Sequence, residues 1–368
     1  MQFSLFESPE QKAAAVVRQL VSARDDFRPL YLNSQGFRVG KSGEVIQVKE
    51  QDAIRQEIRL REVSQINLFG NVQLSTQAVQ SLCAAEIPIC YFSQGGWFYG
   101  ITSGLNQRNV FLRHRQFSAA GHPFTALRLA RSLVAGKVRN QRTLLQRNHI
   151  EPPAIVLRQL KQLAEKAEVA SSLDSLLGIE GSAARVYFSE FAGMLKTEEG
   201  TGRAHKGGAP DFGFDFTQRN RRPPRDPVNA LLSLAYSVLA KDLTITCYLL
   251  GFDPYWGFYH QPRFGRPSLA LDLMEPFRPL IADSVVLTAI NTRMIALGDF
   301  SRSGPSVALK PSGRKGFFHA YELRMDTLVT HPLFDYRVSY RRLLEIQARL
   351  LARFLEGQID DYSAFVTR

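Results

Sequence analysis

Three ionisable side chains within one stretch, PYWGFYHQPRFGRPSLALDLMEPFRP from Pro254 to Pro279, have the types and spacing to do chemistry. His260 precedes a segment in which Asp272 and Glu275 stand three positions apart, close enough to share a helix face. Leu269, Leu271, Leu273 and Phe277 supply apolar neighbours, which puts the two acids beside a core. A carboxylate in that setting persists only when a cation, a hydrogen-bond donor or protonation compensates it. Two readings follow. Arg263 and Arg266 supply the compensation and the group is an ion-pair cluster, or the acids and the imidazole hold a metal ion and need a further ligand from elsewhere in the chain.

Elsewhere in the chain, Glu180 is the acid best placed by its surroundings. It opens a helical pattern beside Gly181, Ser182, Ala183 and Ala184, small residues that let other elements come close. A lone residue of this kind is more often a helix N-terminal charge stabilised by the dipole. Glu190 is the rival carboxylate and lacks the small-residue surround.

The elements that position these groups change character along the chain. SPEQKAAAVVRQLVSAR, residues 8 to 24, reads as a short amphipathic helix with Ser8 as cap and Pro9 in its first turn. From Leu30 to Thr102, short β-rich runs (LYLN, FRVG, EVIQVKE, EIRL, INLF, ICYF, WFYGIT) alternate with turn residues, and one helix from Ser75 to Glu86 interrupts them. After Gly104 the apolar spacing becomes helical, first in NVFLRHRQF and PFTALRLARSLVAGKVRNQRTLLQRN, then, past Pro152–Pro153, in two further patterns. The fold class is therefore α+β, a small N-terminal β-strand domain followed by a larger all-α one, with units at 1–25, 26–104 and 105–368. Residues 197 to 218 are Gly-rich and aperiodic and read as a mobile loop anchored by Phe212, Phe214 and Phe216.

Charge narrows the partner. The 368-residue chain carries a formal net charge of +12 and a pI near 9.7, which favours a polyanion. Arg113, Arg115, Arg128, Arg131, Lys137, Arg139, Arg142 and Arg147 form a run without an intervening Asp or Glu and read as a cationic helix face for phosphate contacts. Arg219, Arg221, Arg222 and Arg225 precede a helix that starts near Asp226–Pro227 and carries Asn229 and Tyr236 on one face. Lys310, Arg314 and Lys315 read as a third contact or as a solvated loop. No run approaches the roughly 18 apolar residues that span a bilayer, so no membrane is expected. Cys83, Cys90 and Cys247 suit buried reduced thiols, and neither GxxxxGK[ST] nor a strand–GxGxxG–helix unit is present.

Three separated blocks, IEGSAARVYFSEF, RRPPRDPVNALLSLAYSVL and DPYWGFYHQPRFGRPSLALDLMEPFRP, in that order after a β-rich region, resemble the CRISPR-associated integrase that inserts new spacers. SVALKPSGRKGFFHAYELRMDTLV and SYRRLLEIQARLLARFLEG resemble the C-terminal helices of the same family, so the likeness runs from about Leu30 to the end. The resemblance implies an enzyme, a metal-dependent DNA endonuclease and integrase, with Glu180, His260 and Glu275 as ligands to Mg²⁺ or Mn²⁺ and Asp272 as an accessory acid. It implies transesterification, the 3′-hydroxyl of a protospacer attacking a phosphodiester at the edge of a CRISPR repeat. Arg263 and Arg266 then clamp phosphate, and the 219–225 arginines with Lys310, Arg314 and Lys315 contact double-stranded DNA. It further implies a homodimer joined through the β domains, a small ferredoxin-like adaptation protein as partner, and a prokaryotic cytoplasmic location. One departure is Pro276, where many relatives carry a second Glu; a proline there removes an amide donor and kinks the helix. A structure-specific nuclease or transposon-type integrase on the same fold, and a non-catalytic DNA scaffold, are the competing readings.

Overall fold

The computed structural model describes residues 28–94, 96, 98–105, 109–196 and 213–367. The N-terminal helix read at 8–24, Gly95 and the greater part of the 197–218 segment, Phe212 included, lie outside the described residues.

Eight strands and one helix come first. They are β1 (Arg28–Leu32), β2 (Phe37–Ser42), β3 (Val45–Glu50), β4 (Ala53–Arg59), β5 (Val63–Phe69), β6 (Gln73–Leu74), α1 (Thr76–Ala84), β7 (Ile89–Phe92) and β8 (Phe98–Thr102). One sheet runs β4-β3-β2-β6, the other β1-β5-β7-β8 with β1, β5 and β7 parallel. Gly43 turns the β2–β3 hairpin with φ 56°, a backbone conformation that L side chains resist. Ser75 caps α1 as its side chain accepts from the Ala78 N–H. Val39, Ile46, Ile66, Leu82 and Ile89 form a small core between the sheets. The far face of the second sheet gives Phe69, Cys90 and Phe92 to the main core instead.

The remainder is mostly helical: α2 (Val110–Ala120), α3 (Pro123–Asn148), α4 (Ala154–Glu168), α5 (Leu173–Ser189), α6 (Pro227–Leu249), α7 (Ser268–Met274), a π-helical turn at Arg278–Asp283, α8 (Ser284–Asn291), α9 (Pro311–Asp326) and α10 (Tyr340–Leu355). It is not all-α. Two short hairpins, β9 (Phe300–Ser303) with β10 (Ser306–Leu309) and β11 (Leu328–Thr330) with β12 (Arg337–Ser339), flank α9. Their runs of three or four residues are too short for a period-2 pattern to stand out against the neighbouring helices. KPSGRKG is accordingly no loop; Lys310 caps α9 and Arg314 and Lys315 lie in it.

The expectation about apolar runs needs amending too. Helix α6 is long and apolar enough to cross a membrane by length and composition. Its length, however, carries Asn229, Lys241 and Asp242, all buried and hydrogen-bonded, as a helix packed mostly inside protein requires. Asp242 also receives the Tyr321 hydroxyl at 2.6 Å and the Gln65 amide at 3.2 Å, which joins α6 to α9 and to β5.

Helix α3 is the axis of the helical part. Most of its cations are structural: Arg139 pairs with Glu168, Arg131 donates to the Ala170 carbonyl, Arg142 to that of Leu157, and Arg128 to Asp360 and Asp361. The expected phosphate-binding face is therefore largely a set of staples to α4 and to the C-terminal tail. Gly136 lets that tail close on α3, since a Cβ there would stand 3.0 Å from the Ala364 Cβ. One turn on, Asn140 donates to the Pro276 and Phe365 carbonyls at 2.8 and 2.9 Å and accepts from the Thr367 N–H. Asn140→Ala is expected to strand these buried partners and lower stability by about 2–4 kcal/mol, read as a fall in urea midpoint without loss of helix content.

Candidate metal centre

His260 lies within the irregular segment, residues 250–267, that joins α6 to α7, and one carboxylate shapes the part that leads to it. Asp272, fully buried on α7, accepts from the Phe258, Tyr259 and His260 backbone N–H groups at 2.6, 3.0 and 2.8 Å. Its Oδ1 also lies 2.7 Å from His260 Nδ1. A carboxylate acceptor there keeps the ring proton on Nδ1, which leaves the Nε2 lone pair free to bind a metal. Gly257 makes the approach possible: a Cβ would fall 2.7 Å from Asp272 Oδ2 and 2.9 Å from the His260 carbonyl oxygen.

Nε2 points toward Glu275 Oε1, 3.8 Å away. Helix α7 stops at Met274, so Glu275 sits at the bend before Pro276 and faces inward, its side chain 2% exposed. Arg278 holds Oε1 from three residues on, with Nε at 2.9 Å. The other oxygen, Oε2, is ion-paired with Lys137 Nζ at 2.7 Å. The same ammonium is hydrogen-bonded to Glu180 Oε1 from α5, and Tyr259 donates its hydroxyl to Glu180 Oε2 at 2.8 Å. Four separate parts of the chain, α3, α5, α7 and the His260 segment, thus meet around one cation. Burial works against the Glu275 charge, but Arg278 and then Lys137 beside it hold its pKa down at about 2. Burial likewise opposes the Lys137 charge and is outweighed by Glu275 and Glu180, so its pKa lies above the ordinary lysine value. Both groups are ionised at neutral pH.

Among the described residues, no three His, Cys, Asp or Glu side chains stand at metal-binding distances from a common point. The donor set nonetheless fits a divalent ion. Two carboxylates and an imidazole suit Mg²⁺ or Mn²⁺, and the position between the carboxylates is already a cation's.

A family model described as CRISPR associated protein Cas1 matches residues 30–323. The chain belongs to the Cas1 family. It is 48% identical over 357 residues to a CRISPR-associated exonuclease Cas4/endonuclease Cas1 fusion of Geobacter sulfurreducens, covering 95% of this chain and 62% of that protein. It is 40% identical to a CRISPR-associated endonuclease Cas1 of Thermus thermophilus, covering 83% of this chain and 86% of the relative. The solved structure of a CAS1 protein from Thermotoga maritima matches with TM-score 0.75 at 25% identity, over 93% of this chain and 100% of that one. The chain spans 62% of the Geobacter sulfurreducens fusion protein and 58% of a second Cas4/Cas1 fusion, from Rhodospirillum rubrum, to which it is 44% identical.

Within this Cas1 chain the structure brings Glu180, His260, Asp272 and Glu275 together, with two corrections to how they are held. Glu180 does not open its helix: α5 starts at Leu173 behind a Ser172 cap, so Glu180 is an interior residue turned toward α3. The acids are compensated by Lys137 and Arg278, whereas Arg263 is exposed and Arg266 half-buried on the 261–267 loop. Glu190 lies apart, at the end of α5, 3.6 Å from His149. Arg219 is turned inward, donating to Asn229 Oδ1 at 2.6 Å and Ser233 at 3.1 Å, while Arg221, Arg222 and Arg225 are exposed. Lys310 and Lys315 are exposed; Arg314 is 7% exposed and is no surface contact. Pro224, Gly265, Pro267 and Arg314 nevertheless line one cavity of about 600 Å³, so three of the basic stretches border a common space.

Sequence reasoning missed Lys137, Arg278 and Tyr259. For Lys137 a signal existed, because it falls four residues after Leu133 and seven before Leu144, on the apolar face of α3. Behind Arg278, whose guanidinium lies 4.8 Å from the Tyr236 ring centre, Tyr236 and Tyr187 donate to Asp283 at 2.6 and 2.8 Å. Burial pushes the Asp283 carboxyl up to about 6 in spite of those donors.

A carboxyl with a raised folded pKa stabilises below its unfolded value and loses that contribution as pH rises through the folded one. Urea unfolding of the wild type against Asp283→Asn is therefore expected to show the wild type losing about 2 kcal/mol relative to the variant between pH 4 and pH 7; parallel curves would refute this. Gly257→Ala is expected to displace the Asp272 carboxylate and free His260, seen as a His260 imidazole NMR resonance shifted toward solvent-exposed values.

Proposed function

We propose that this chain is a metal-dependent DNA endonuclease and integrase of CRISPR adaptation, which joins protospacer 3′-hydroxyl ends to the CRISPR repeat by transesterification. The observation that carries the reading is that Lys137 pairs with both Glu180 and Glu275 while His260 Nε2 stands 3.8 Å from Glu275, in a Cas1-family chain. Relatives named endonuclease Cas1 support nuclease chemistry. A structure named as a Cas6-RT-Cas1–Cas2 complex matches at 26% identity with TM-score 0.74, which supports a small adaptation protein as partner.

Glu180, Glu275 and His260 Nε2 would hold the ion, Mg²⁺ or Mn²⁺. When bound, it acts as a Lewis acid on phosphate and lowers the pKa of the attacking hydroxyl. Asp272 positions His260, and Tyr259, whose hydroxyl is kept protonated by burial and by Glu180, orients that carboxylate. Arg278 keeps Glu275 ionised and turned to the site. Arg221, Arg222, Arg225, Arg263, Arg266, Lys310 and Lys315 lie on stretches bordering the cavity beside α6, and we assign them to DNA backbone contacts. We assign a homodimer contact to the edge of the first sheet, where β4 is exposed along nearly its whole length and its outer side is unpaired among the described residues. The place of action is the prokaryotic cytoplasm, where the repeat DNA is.

Purified protein with Mn²⁺, its small partner, a labelled protospacer and a repeat-containing plasmid is expected to give covalent protospacer–repeat products. Nicks alone would leave an endonuclease that does not integrate. Glu180→Ala, His260→Ala and Glu275→Ala are expected to abolish joining with DNA affinity retained, and Asp272→Asn to reduce it about 10- to 100-fold. Replacing Arg221, Arg222 and Arg225 by Ala is expected to weaken DNA binding and to flatten its log–log salt slope by about 0.9 for each phosphate no longer neutralised.

A further inference from the structure

We propose that Lys137 is a resident cation of the centre. In the metal-free protein its ammonium holds Glu180 and Glu275 together at the position a divalent ion takes, and the ion enters only by displacing it. The inference rests on the metal reading above and adds a competitor within the chain itself.

Three observations carry it. The Lys137 side chain is 8% exposed and pairs with both proposed carboxylate ligands. The carboxylates need it: without a cation, Glu275, 2% exposed, would face Glu180 with Arg278 alone to offset two charges. Its backbone cannot retreat, because α3 is fixed on either side by Gly136 against Ala364 and by Asn140 bonded to Pro276 and Phe365. The ammonium, on a flexible four-carbon stem, is the part that can move.

A monovalent and a divalent cation cannot share so small and dry a space without strong repulsion. Lys137 therefore lowers the affinity of free protein for the ion while keeping the ligands assembled. A displaced ammonium needs a new anion, and a DNA phosphate drawn to the same centre supplies one. Metal and DNA then bind with positive coupling that runs through Lys137, in both directions by linkage.

The test is a Mn²⁺ titration of the full chain followed by the electron paramagnetic resonance of free Mn²⁺, with and without a DNA duplex. Lys137→Met is expected to bind Mn²⁺ roughly tenfold more tightly than wild type, since a like charge is removed from the site, and to lose most of the enhancement by DNA. Lys137→Arg, which keeps the charge, is expected to resemble wild type. In EDTA the Met variant is expected to melt at lower temperature and to recover more than wild type on adding Mn²⁺. If it does not fold without metal, Lys137→Gln, uncharged but able to donate to one carboxylate, takes its place with the same expected ordering. Equal or weaker Mn²⁺ affinity in the uncharged variants overturns the proposal and leaves the metal reading standing. No Mn²⁺ binding by any of the proteins overturns both.

Discussion

The Lys137 ammonium between Glu180 and Glu275 is the contact on which the rest of the helical part depends. Two carboxylates from different helices come close in a dry interior only if positive charge is set between and beside them. Lys137 and Arg278 provide it, and each is held by further elements: Lys137 by an axial helix strapped to the C-terminal tail, Arg278 by the Tyr236 ring. Charge balance at one point thus dictates how α3, α5, α6 and α7 meet.

Around that point the chain separates assembly from chemistry. Asp272 uses its acceptor capacity on three backbone amides and one imidazole nitrogen, so it orients His260 with Nε2 turned toward Glu275. Glu275 gives one oxygen to Arg278 and the other to Lys137, so both of its oxygens are held by cations. The π-helical turn after Pro276 swings Arg278 back onto Glu275 and sends Asp283 toward two tyrosines on α5 and α6. Irregular helix at this place is in keeping with the concentration of such turns at functional sites.

Much of this was legible from the residues. The β-to-helix change after Thr102, the Ser75 and Asp226 caps and the closeness of His260, Asp272 and Glu275 follow from local pattern, because turns, caps and helical spacing are local properties. What was not legible depends on contacts distant in sequence. The run of cations on α3 read as one phosphate-binding face, yet most of its members bind carbonyls or acids more than ten residues away, and Lys137 turns into the core. Glu180 read as a helix opener because Gly181 and its small neighbours mimic a boundary, whereas Ser172 supplies the cap eight residues earlier. Arg314 and Arg219 read as surface cations and are enclosed, a difference that only the packing of α9 and α6 decides.

The central claim is that one divalent ion is held by Glu180, His260 and Glu275. The most direct test is a crystal of the full chain grown with Mn²⁺ and measured at an anomalous wavelength. A single strong anomalous peak is expected within coordination distance of Glu180, His260 Nε2 and Glu275, with the Lys137 ammonium moved off at least one carboxylate. A protein saturated with Mn²⁺ that shows its peak elsewhere, with Lys137 still bridging the two acids, would contradict the claim.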